Sequence, residues 1–202
     1  MAKTGADLSS EFNDRATEFA ELIRGLDDEQ WHALCEAENW SVGTTAHHVG
    51  QSFNSTWGIT EAIMAGSVPP VSWDDINAMN AAHAAEFPNP DRAETLALIE
   101  DSAASVTEAI AALDDEALDK SAVVAAFSPE PLAARNWIEM VVISHIPVCT
   151  SRASKPQLLA RFRKSYVLDP EGNRFPFGSS NPCAGATSAA SSGPFRFPEF
   201  DQ

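Results

Sequence analysis

The stretch NWIEMVVISHIPVCT, residues 136–150, decides the fold. Trp137, Ile138, Met140, Val141, Val142, Ile143, Ile146 and Val148 make it apolar on every side, the pattern of a helix buried in the middle of a bundle. It is too short to cross a bilayer. One imidazole, His145, interrupts it, and Cys149 follows four residues later. A helix that continues through Pro147 stacks these two side chains on one face, which is the spacing of a metal-ligand pair.

A buried helix needs amphipathic neighbours, and the upstream chain supplies them. Phe12, Ala16, Phe19, Leu22, Ile23 and Leu26 recur at helical spacing, so a first helix is expected from Phe12 to a left-handed cap at Gly25, with the preceding residues frayed. Ser41 is the expected N-cap of a second helix whose stripe is Val42, Ala46, Val49, Phe53 and Trp57. His47 and His48 fall on opposite flanks of that stripe, so periodicity does not decide which of them faces the bundle. Gly66 and the Pro69-Pro70 pair end it. Ser72 and Asp75 form a capping signature for a third, polar segment that carries His83, read as a solvated side chain. Asp91 caps a fourth segment with Leu96, Ile99, Ala103, Val106, Ile110 and Leu113 at helical spacing. LDDEQW at 26–31 is echoed by LDDEAL at 113–118, a hint of a pseudo-repeat, and the acidic clusters in both read as helix-boundary charges. Trp31 and Trp40 read as apolar plugs at the bundle end. No segment alternates over a convincing length, so β structure should be minor. The fold class is all-α, an antiparallel four-helix bundle over residues 10–150.

The net charge of −16 and a pI near 4.5 argue against nucleic acid or an anionic membrane as partner. With no leader-like start and no long apolar run, the expected location is cytoplasmic. Cys35, Cys149 and Cys183 are scattered, which excludes a disulfide framework and a cysteine-only zinc knuckle. The charge is uneven: residues 150–202 hold seven of the 13 Lys and Arg but only four of the 29 Asp and Glu, so the tail is net positive while the rest is strongly acidic. With its Pro, Ser and Gly tracts, the tail over 151–202 is expected to be largely disordered.

The phrases LDDEQW, ENWSVGTTAHHVG and, about a hundred residues on, WIEMVVISHI resemble the DinB-like superfamily, and within it the mycothiol-dependent maleylpyruvate isomerase type of N-terminal domain. The resemblance covers roughly residues 10 to 150. It implies a four-helix bundle whose divalent metal, often zinc or nickel, is held by three histidines: one from the second helix and an HxxxH pair from the last. Aligned on Trp40 to Val42, the second-helix ligand falls on His48 and the first of the pair on His145. The other falls on Cys149, a departure from the pattern, although a thiolate also ligates zinc. Pro147 removes a backbone donor between the two. The resemblance further implies a transferase or isomerase that works with mycothiol or another low-molecular-weight thiol, an ion that lowers the thiol's pKa, and an electrophilic small-molecule substrate. His47 and His83 are then candidates to bind the substrate or move a proton. Such a protein is expected to act as a monomer or homodimer. The alternatives are a noncatalytic bundle that binds a small ligand or a protein partner, and a damaged gene product.

The last alternative comes from the junction. The residues CTSRAS at 149–154 can be encoded TGC ACC TCG CGA GCA TCN, and the same string read one base earlier gives Val, Leu or Met followed by His-Leu-Ala-Ser-Ile. The hypothesis of a frameshift near codon 148 therefore explains the lost helical period and the reversed charge together. It predicts that the coding DNA past Val148 holds, in another frame, an amphipathic helix end; sequencing that finds none removes it.

Overall fold

The computed structural model describes residues 2–35 and 40–146, together with the backbone of 166–168 and 174–176. Helix α1 spans Gly5–Arg24 and starts well before the expected Phe12. The reason is a capping box: Asp7 N–H donates to the Thr4 hydroxyl, and the Thr4 N–H donates to the Asp7 carboxylate at 2.9 Å. Leu8 then joins Phe12, Ala16, Phe19 and Ile23 on the buried stripe. Gly25 closes the helix in the right-handed region, not the left-handed one expected, because its N–H reaches back to the carbonyls of the last turn. Gly66, at φ 70°, is the left-handed glycine and follows the end of α3 (Val42–Met64).

The echoed LDDE phrases are structural counterparts. After α1 comes the short helix α2 (Asp28–His32), then a two-stranded ladder of β1 (Leu34–Cys35) and β2 (Trp40–Ser41), then α3. The crossing helix α4 (Trp73–Glu86) comes next, and then the order repeats. It runs through α5 (Arg92–Ala111), α6 (Asp115–Asp119), the ladder β3 (Ser121–Ala122) with β4 (Leu132–Ala133), and a last helix. Asp27 and Asp114 occupy the same place in the two copies, each accepting from a backbone N–H three residues on at 2.8 Å. The acidic clusters are thus helix N-termini, where negative charge is favourable.

The four long elements make a four-helix bundle in which α1 runs antiparallel to α5, with Ser9 opposite Thr107 and Arg24 opposite Glu100, whereas α3 runs in the same direction as α5, with Gly50 against Ile99 and Asn54 bonded to Ser102. α1 packs on α5, α5 on α3, and the last helix contacts α1 and α3. Phe12 and Phe53 meet edge to face at 5.2 Å between centroids, while the fully buried Trp137 meets Phe127 at 5.0 Å. Trp31 and Trp40 are buried near the α3 N-terminus, with the Trp31 indole donating to the Pro90 carbonyl at 3.2 Å and Arg92 over its ring. Among the described residues no helix is long and apolar enough to cross a membrane.

The last helix corrects the opening expectation. It is α-helical over α7 (Ala134–Trp137) and widens to a π turn over Ile138–Ile143. It is not buried all round either, because Met140 is 64% exposed and Glu139 pairs with Lys3 at 3.2 Å on the outer face. A bundle helix keeps one side in water whatever its composition. Downstream, antiparallel pairing joins β5 (Tyr166–Leu168) to β6 (Arg174–Pro176), strands that the sequence period did not suggest. The expected helix through Pro147, the frameshift junction and the rest of the tail lie outside the described residues.

Two glycines test the packing in opposite directions. A Cβ on Gly5 would stand 2.5 Å from the Leu113 carbonyl oxygen, so Gly5→Ala should cost about 1–3 kcal/mol, the usual range for overpacking. Gly58, in α3 with nothing within 4 Å of its built Cβ, should gain about 0.5–1 kcal/mol as Gly58→Ala. Urea midpoints measure both; equal midpoints for the two variants would contradict the α1 to α5 contact.

Candidate functional site

Four of the five histidines gather at one place. α3 carries His47 and His48 in its second turn, placed by the Ser41 cap, whose hydroxyl accepts from the Thr44 N–H at 2.9 Å. α4 carries His83, and His145 lies just beyond the π turn. His48 is the middle of the group: its ring centroid lies 5.1 Å from His83, 5.6 Å from His145 and 5.4 Å from Trp40. His47 lies 5.2 Å from His83 and stacks on Phe87 at 4.1 Å. The Thr44 hydroxyl holds that wall in place by donating to the Phe87 carbonyl at 2.9 Å. Periodicity left His47 and His48 equivalent, and the fold distinguishes them: His48 is the one beside His145.

The π turn has a direct bearing on His145. Each residue inserted into an α-helix rotates the downstream part of the helix by about 100°. The chain returns to α-type bonding at His145, whose N–H donates to the Val141 carbonyl at 3.0 Å. The side that His145 presents is therefore set by the widened turn, which no periodicity reveals.

His83 is buried at 8% exposure, correcting the solvated reading. Although α4 is polar in composition, Asn80 and His83 lie one turn apart and both face inward. The His83 Nδ1 is 2.7 Å from the Gln51 side-chain oxygen. That oxygen only accepts, so Nδ1 carries the hydrogen and Nε2 the lone pair. The His83 Nε2 and the His47 Nδ1 are both enclosed without a hydrogen-bond partner among the described residues. Gln51, Trp40 and Phe87 were not singled out by sequence as part of a site. Only Gln51 left a signal, one helical turn beyond His48.

The electrostatics agree with the burial. His145 falls to about 4 because of desolvation, and His83 to about 4 through desolvation and the neighbouring His47, against a small opposing pull from the Thr44 backbone. His48 lies well below the usual imidazole value, through burial first and then repulsion from His145, His83 and His47. His47 is lowered by burial, with Glu86 acting the other way. Neutral imidazoles are the ligand form for metals. Among the described residues, however, no three His, Cys, Asp or Glu side chains stand as a group that could hold an ion. Cys149, the expected third ligand, lies outside the described residues.

The chain matches the family described as mycothiol maleylpyruvate isomerase N-terminal domain over residues 12–142. No curated protein matches it. Among solved structures the fold is similar to that of YfiT from Bacillus subtilis, described as a probable metal-dependent hydrolase with an unusual four-helix bundle topology. The TM-score is 0.54 at 12% identity, covering 78% of this chain and 83% of that one.

The buried imidazoles make the metal-free protein sensitive to mild acid. The folded values of His83 and His145 lie below the unfolded value near 6.5, so between them the unfolded chain binds more protons and stability rises with pH. Their contribution is whole above pH 6.5 and is lost as the pH falls towards about 4. The slope should approach roughly 1.4 kcal/mol per pH unit for each histidine. Urea midpoints taken in chelator from about pH 7 to about 4.5 check it; a flat profile would contradict the enclosure of these rings.

Proposed function

Because the chain belongs to the mycothiol maleylpyruvate isomerase N-terminal domain family, of the DinB-like four-helix type, we propose that it binds a divalent metal, zinc or nickel, and acts as a low-molecular-weight-thiol-dependent transferase or isomerase. The observation that carries the metal half is the pair His48 and His145: two neutral imidazoles brought from separate elements to 5.6 Å between centroids inside the bundle. The description of YfiT as metal-dependent supports the same half. His48 and His145 would hold the ion, with Cys149 as the further ligand that the sequence pattern names. The ion, once bound, supplies the charge that keeps a thiol such as mycothiol ionised near neutral pH.

The chain's own residues supply the surroundings. Trp40 and Phe87 border the histidine cluster, Trp40 edge to face with His48 and Phe87 stacked on His47. His47 Nδ1 and His83 Nε2, which meet no partner among the described residues, are candidates to orient an electrophilic substrate. The second reading, a noncatalytic bundle that binds a small ligand or a protein partner, draws on one observation: no three-donor group stands ready among the described residues.

The two readings separate by elemental analysis. After loading with zinc or nickel and removal of free ion, about one ion per chain is expected, lost in His48→Ala and in His145→Ala. The thermal midpoint should fall when the ion is chelated. A loaded protein that retains no metal overturns the first reading.

A further inference from the structure

The last helix holds one residue more than its packing uses. We propose that this residue is Met140, and that by absorbing it as a π turn the helix aims His145 at His48. What the two imidazoles do rests on the metal-binding reading above; how they are placed does not.

Helical phase shows the surplus. An α-helix advances about 100° per residue, so residues five apart stand roughly 140° from one another and face different ways. Ile138 and Ile143 are five apart, yet their exposures are 0% and 2%. A π turn closes from residue i to i+5 and brings such a pair into line. Removing one residue between them gives the same alignment in a plain α-helix, where positions i and i+4 share a face. Asn136, Met140 and Ser144 are exposed and mark the outer side.

The backbone identifies the extra residue. In an α-helix the Ser144 N–H would donate to the Met140 carbonyl. It donates to the Val141 carbonyl instead, as does the His145 N–H at 3.0 Å. The Met140 carbonyl is taken by the Ser144 hydroxyl. Met140 is also 64% exposed, so its side chain is no part of the core.

The consequence falls on His145. It stands eight residues beyond Trp137, whose indole donates to the Thr56 carbonyl of α3 at 3.1 Å. Eight α-helical steps would turn His145 roughly 80° away from the direction of Trp137, whereas with one residue absorbed the difference falls to roughly 20°. His145 thereby points as Trp137 does, towards α3, where the His48 ring is 5.6 Å away between centroids. Without the π turn the same sequence would keep Trp137 in place and carry the imidazole away from His48.

Two one-residue deletions in the full chain, both at exposed positions, provide the test. Deleting Met140 should leave an uninterrupted α-helix with Ile143 and His145 facing as before. The NMR proton contacts between the His48 and His145 rings should persist, the thermal midpoint should not fall, and zinc affinity should change by less than about 3-fold. Deleting Ser144 instead removes a residue beyond the π turn, so Ile143 and His145 cannot both keep their places. Either the ring contact should vanish or the midpoint should fall by roughly 4 °C or more. Ser144→Ala, which removes only the hydroxyl, should keep both. A wild type without the ring contact, a Met140 deletion that loses the contact or lowers the midpoint, or a Ser144→Ala as damaging as the Ser144 deletion overturns the proposal. So does a Ser144 deletion as harmless as that of Met140. A wild type that binds no zinc removes the metal reading alone, because ring contacts and midpoints are read without metal.

Discussion

The Trp137 indole donates to the Thr56 carbonyl at 3.1 Å, and this one bond fixes how the last helix sits on α3. Trp137 is fully buried, so the indole N–H has to find a partner inside the protein and the carbonyl has to sit where the ring can reach it. The two helices run antiparallel. Counting eight residues forward from Trp137 gives His145, and eight back from Thr56 gives His48. The lock at one level therefore sets the pairing of imidazoles two turns away. The intervening π turn adjusts the angle at which His145 arrives.

The surroundings of that pairing are costly. Four imidazoles stand together, His83 buried and the others partly so, all with lowered affinity for protons, and the ring nitrogens His47 Nδ1 and His83 Nε2 find no partner among the described residues. A protein selected for stability alone would fill such a space with aliphatic side chains. Burial on this scale fits a site that keeps its bases neutral and its lone pairs available, the condition under which a soft cation competes well with protons.

The rest of the fold serves as a frame. Long helix, short acid-capped helix, two-stranded ladder and helix occur twice in order, and α4 crosses between the copies. That crossing brings His83 and Phe87 against α3, so the segment that breaks the repeat also completes one side of the histidine cluster. The match to the isomerase N-terminal domain family covers this frame through residue 142 and stops before His145.

By itself the sequence determined the all-α class, the stripes of α1, α3 and α5, and the caps at Ser41, Ser72 and Asp91. These come from local rules: the helical period and side chains that satisfy free N–H groups at helix starts. It also put His48 and His145 forward as partners, through short motifs. Only the tertiary structure decided that His48 and not His47 faces His145, that Gln51 orients His83, and that polar α4 turns a histidine inward. Each of these depends on how one helix is rotated against another, and that rotation is fixed by packing such as the Trp137 lock and by a π turn that interrupts the very period from which the sequence is read.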